Sequence, residues 1–117
     1  MQINEQDLSY LYDIYEHAIE ITNITKNKKF YHFEKDKMMR FAVERLFEII
    51  GIAAKKLSDE TRYQLNTIPW KEIIGLRNVI AHEYGELKIE RIWRTVIKSV
   101  PELVKELSKI EELKIKN

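Results

Sequence analysis

Apolar positions recur at spacings of three and four along most of the chain, and no stretch alternates as a strand would. The first run, Leu8, Leu11, Tyr15, Ala18, Ile19 and Thr22, predicts a helix from about Asn4 to Thr25. Asn4 is placed to cap it, with Asp7 three residues on as in a capping box. Lys26, Asn27, Lys28 and Lys29 break the pattern and read as an exposed basic connection. A second helix is expected from about Lys35 to Leu57, its main stripe being Met38, Phe41, Ala42, Leu46, Ile49, Ile50, Ala53 and Leu57. Val43, Phe47, Ile52 and Ala54 add apolar surface on its other faces. A helix so widely apolar is either central in a bundle or shared with another chain.

Ser58-Asp59-Glu60 reads as a cap opening a short helical turn to about Leu65. Pro69 suits the first position of the next helix and Gly85 its C-terminal stop. The last helix is expected from about Lys88, through Ile89, Ile92, Trp93, Val96, Ile97 and Val100. Pro101 should kink or interrupt it before Leu103, Val104, Leu107 and Ile110 resume the stripe. The closing Lys114-Ile115-Lys116-Asn117 should fray. These elements make an all-α protein, an antiparallel bundle of four main helices plus a short helical turn, forming one domain over residues 1–117.

Composition narrows the picture by exclusion. Only three glycines and two prolines occur, which leaves no flexible linker. A net charge of +1 gives no global pull toward nucleic acid, so anion binding must come from a local patch. Without cysteine there is no disulfide framework, thiolate zinc site or cysteine nucleophile. No apolar run approaches the roughly 20 residues that span a bilayer, and no signal-peptide core opens the chain. The expected location is the cytoplasm, with no membrane association.

Chemistry concentrates between Ile68 and Gly85, where Arg77, Asn78, His82 and Tyr84 lie toward the end of an otherwise apolar helix. Singly, three have an ordinary explanation: Arg77 as a surface ion-pair residue, His82 as a C-cap and Tyr84 as a packed aromatic with a wet hydroxyl; Asn78 alone carries no signal. His17 reads as a polar-face residue of the first helix and His32 as a loop residue. At about 100° per residue, Arg77 and Tyr84 would be nearly eclipsed, whereas His82 lies about 140° from Arg77. One straight helix cannot bring Arg77 and His82 together. The last turn must unwind, or a second copy must supply one of them.

Taken together, Arg77-Asn78-Val79-Ile80-Ala81-His82-Glu83-Tyr84 resembles the signature of the HEPN-superfamily ribonucleases: an arginine, a polar residue, and a histidine after four intervening residues. The tyrosine two positions beyond the histidine is similar to the HepT-like toxins, partners of minimal MntA-like nucleotidyltransferase antitoxins. Pro69-Trp70, Ile92-Trp93 with Val100-Pro101-Glu102-Leu103, and Glu44-Arg45-Leu46-Phe47-Glu48-Ile49-Ile50-Gly51 also resemble the family pattern. The likeness runs from about Met38 to Leu107. One position departs from it, for Ile52 stands where members often carry an acid.

The resemblance implies a HEPN-like fold and the toxin of a type VII-like toxin–antitoxin pair, a metal-independent endoribonuclease acting as a homodimer on RNA. Arg77 and His82 would be catalytic, from two copies lining one cleft. Asn78 and Tyr84 would bind or orient substrate, and the nucleotidyltransferase antitoxin would inactivate the enzyme by transferring AMP to Tyr84. The chemistry suits these residue types: histidine can exchange protons near neutrality, and arginine presents a permanently charged fork to phosphate oxygens. No cofactor and no metal are expected, since no histidine pair at ligand spacing occurs. Lys26, Lys28 and Lys29 could lengthen a positive track for RNA, although a solvated loop explains them too. Two rival readings remain: a non-catalytic HEPN-type module that binds a nucleotidyltransferase or its nucleotide, and a helical adaptor in which Arg77 and His82 are surface residues. A higher oligomer with the antitoxin is compatible with either of the first two readings.

Overall fold

Asn4 starts the first helix as the sequence suggests, its Oδ1 accepting the Asp7 N–H at 2.7 Å. A computed structural model describes residues 2–115, and among them the chain is all-α, with no strand. Four long helices carry the fold: α1 (Glu5–Thr25), α3 (Lys37–Lys56), α5 (Trp70–His82) and α6 (Gly85–Ser108). Three short ones join or end them: α2 (Phe30–Lys35), α4 (Asp59–Gln64) and α7 (Glu111–Ile115). Packing of α1 on α3 and α6, α3 on α5, and α5 on α6 closes a ring around one apolar core.

The buried stripe of α1 is Leu11, Ile14, Ala18, Ile21 and Thr25, so the expected stripe is rotated. Thr22 is exposed, while Leu8, Tyr15 and Ile19 are only partly covered. Asp7 also belongs to the inward face. Its carboxylate accepts the Asn4 Nδ2–H of the cap at 3.3 Å, and it also reaches across the fold, accepting Ser58 Oγ at 2.6 Å and Thr61 Oγ1 at 2.5 Å. It also accepts the Ser58 N–H at 3.3 Å. Burial alone would raise the Asp7 pKa, but the hydrogen bonds from Ser58, Thr61 and Asn4 outweigh it and hold the carboxyl below its ordinary 3.8. One buried carboxylate thus ties the start of α1 to the α3–α4 corner.

α3 is rotated as well, in the opposite direction. Its buried face is Met39, Val43, Leu46, Phe47, Ile50, Gly51, Ala53 and Ala54, whereas Met38 and Phe41 are exposed. Adjacent apolar pairs, Met38-Met39 and Ile49-Ile50, let the periodicity fit either rotation. Phe47 is buried inside a single copy, so it no longer argues for a second chain.

Other expectations shift by a few residues. Lys26 to Lys29 are exposed, but α2 follows at once and contains His32, whose Nδ1 accepts the Lys29 N–H at 2.8 Å. His32 is therefore helical rather than a loop residue. Pro69 is the N-cap of α5, one position before the expected one, and the Trp70 Nε1–H donates to the Leu65 carbonyl at 3.1 Å across that corner. Gly85 does not end α5. It begins α6 at φ 70°, three residues ahead of the expected start, and α6 runs through Pro101 without interruption. Lys114 and Ile115 continue α7; the expected fraying of Lys116 and Asn117 lies outside the described residues.

Candidate active site

Helix α5 carries Arg77, Asn78 and His82 because its apolar side, Trp70, Ile73 and Leu76, faces the core and leaves the polar residues along its flank and end. Arg77 is partly buried on the side facing α3. Its stem lies over Gly51: a Cβ at Gly51 would come within 2.8 Å of both Cγ and Cδ of Arg77. Beyond that contact, the Arg77 Nε is buried and has no hydrogen-bond partner among the described residues. Ile52, where the resemblance leads one to look for an acid, is partly buried on α3 directly after Gly51.

His82 is the last residue of α5 and is exposed, as is Asn78. Glu83 turns the backbone to an extended conformation, and Tyr84 follows as the N-cap of α6 at φ −129° and ψ 159°. Tyr84 is 88% exposed. The near-eclipse of Arg77 and Tyr84 expected on a continuous helix therefore does not apply, because Tyr84 is not on α5. Helical geometry does hold from Arg77 to His82, which stay about 140° apart. No hydrogen bond joins them among the described residues. Within one copy, Arg77 and His82 lie on different sides of α5, and Tyr84 opens α6 just beyond them.

Sequence reasoning passed over the cations beside Tyr84. Tyr84, Leu87, Arg91 and Arg94 share a face and, with Glu83 and Glu90, line an open cavity of about 440 Å³. Arg91 pairs with Glu83. The 84–87–91–94 spacing would have revealed this face had the helix been started at Gly85. Lys88 reaches Glu44 of α3 at 3.4 Å and closes this corner against the bundle. Nearby, a hydrogen bond with Glu86, together with burial and the negative charges of Glu86 and Glu90, pushes the Glu34 carboxyl above its usual range against the pull of Lys35. Among the described residues, no group of three or more histidine, cysteine, aspartate or glutamate side chains could hold a metal ion. No helix there is long and apolar enough to cross a membrane.

An all-α bundle that displays arginine, histidine and tyrosine at the α5–α6 corner matches one known class over most of its length. The family model described as "Ribonuclease HepT-like" matches residues 14–110, more of the chain than the resemblance in residues 38–107 covered. The chain belongs to this HepT-like family. Among curated proteins it is similar to "Putative RNase MJ1380" of Methanocaldococcus jannaschii, 37% identical over 85% of this chain and 91% of that one. A protein of Caldanaerobacter subterraneus named "Putative RNase TTE0752" is 38% identical over 86% of this chain and 90% of its own length. "Probable ribonuclease HepT" of Thermococcus cleftensis is 33% identical over 88% and 94%. No solved structure gives a significant match.

Proposed function

We propose that this chain is a metal-independent endoribonuclease, working as a homodimer in which Arg77 and His82 of two copies line one cleft. The observation that carries this reading is the state of Arg77, partly buried with an unspent Nε–H, on the same helix as an exposed histidine it does not meet. A phosphodiester oxygen would satisfy the arginine, and a second copy would supply the histidine. The RNA 2′-oxygen attacks the phosphorus while one His82 takes its proton. The bond from phosphorus to the 5′-oxygen breaks as the His82 of the second copy donates a proton to it. Arg77 holds the charge that builds on the phosphate oxygens. Asn78 orients the phosphate, and Tyr84 stacks on a base or bonds the phosphate.

Met38 and Phe41, exposed one turn apart on α3 beside α5, are the surface such a dimer would cover. On this reading the protein is the toxin of a type VII-like pair. The partner nucleotidyltransferase silences it by transferring AMP from ATP to the Tyr84 oxygen, releasing pyrophosphate. The exposure of that tyrosine is what supports control at this position. Incubation of the purified protein with end-labelled RNA in EDTA tests the activity. Cleavage that leaves a 2′,3′-cyclic phosphate and a free 5′-hydroxyl is expected; a strict need for magnesium would refute the mechanism.

A further inference from the structure

Glycine in mid-helix is a poor choice for helix stability compared with alanine, so a buried one inside a long helix calls for a reason. Gly51 is buried in α3 and has no positive φ that would require glycine. The reason lies across the helix pair. A Cβ at this position would stand 2.8 Å from both Cγ and Cδ of Arg77, closer than real Cβ atoms approach their neighbours, while the nearest other atom is the Ile73 carbonyl oxygen at 3.7 Å. Those two carbons are the middle of the arginine stem. They cannot give way without swinging the guanidinium, whose Nε is buried just beyond them.

We propose that Gly51 is a positioning residue for Arg77: its bare Cα is the seat on which the arginine stem lies, and that seat fixes where the guanidinium stands, with its Nε buried against the bundle. This rests on the reading of Arg77 as a phosphate-binding group. On the other side of the argument, the surroundings of Gly51 offer ordinary room except where the arginine lies. The glycine therefore serves the arginine rather than the helix pair as a whole.

Gly51→Ala tests the seat, compared with wild type, Arg77→Ala and the double variant. Activity is read as kcat and KM on RNA, and stability as the thermal midpoint. In Gly51→Ala the expected outcome is kcat at least tenfold lower, with a loss of thermal midpoint that is larger than the same change causes in the Arg77→Ala background. The double variant should be no less stable than Arg77→Ala and should lose no further activity. Protection of the Arg77 Nε–H signal in ¹⁵N NMR, assigned by its absence in Arg77→Ala, should disappear in Gly51→Ala. If Gly51→Ala fails to fold alone but folds in the Arg77→Ala background, the seat stands, because removing the stem removes the clash. Unfolding in both backgrounds, or wild-type kcat with the Nε–H still protected, overturns the proposal. Should Arg77→Ala itself cleave as wild type, the reading of the site fails, and the NMR comparison still decides the seat.

Discussion

Leaving the Arg77 Nε–H buried without an acceptor costs about 1–3 kcal/mol, which a folded chain tolerates where the donor has work to do. The spacing of Arg77, Asn78, His82 and Tyr84 marks them as candidates in the sequence, but it does not give their orientations. Where a helix stops is decided by two or three residues, and here Glu83 and Tyr84 leave α5 earlier than Gly85 suggested. The contact of Arg77 with Gly51 joins positions 26 residues apart, so no local pattern could show it. Tyr84, 88% exposed, is open to another enzyme. Co-expression with the nucleotidyltransferase should add one or more AMP units by intact-mass spectrometry, and Tyr84→Phe should abolish the addition. Each unit brings a phosphate charge that Arg91 or Arg94, on the same cavity wall, is placed to meet. A chain that stays unmodified yet loses its activity in the presence of the nucleotidyltransferase would point to steric binding instead.

Element by element, the four long helices were legible because three- and four-residue spacing persisted over many turns. Their rotations were not. Asp7 reads as a polar first-turn acid, yet it lies on the buried side of α1. In α3 the doubled apolar positions leave the choice to tertiary packing. Asp7 also makes a prediction about acid. Its pKa is lowered by folding, so its stabilisation is present above the ordinary 3.8 and is lost as pH falls below that value. Asp7→Asn should therefore destabilise the protein by about 2 kcal/mol at pH 7, from the worth of hydrogen bonds to a charged acceptor. Denaturation at pH 7 and pH 3 should show that deficit shrinking in acid. An equal deficit at both would mean the carboxylate charge is not what matters.

For the whole molecule, the question is what covers Met38 and Phe41, 77% and 56% exposed on a helix that runs beside α5. Large apolar side chains exposed on successive turns favour association. Light scattering at micromolar concentration should give a dimer mass, and Phe41→Glu should shift it to the monomer and reduce RNA cleavage at least tenfold. A wild-type monomer would remove the second copy on which the shared cleft depends. On the proposed reading, Arg77 and His82 act together on an RNA phosphate without a metal. The most direct measurement is the rate of RNA cleavage in EDTA by wild type, Arg77→Ala and His82→Ala side by side, with folding and dimer mass checked for each. Wild type should cleave, and each variant should be slower by about 10²–10⁴-fold while remaining folded and dimeric. Undiminished cleavage by the His82→Ala dimer would contradict the account.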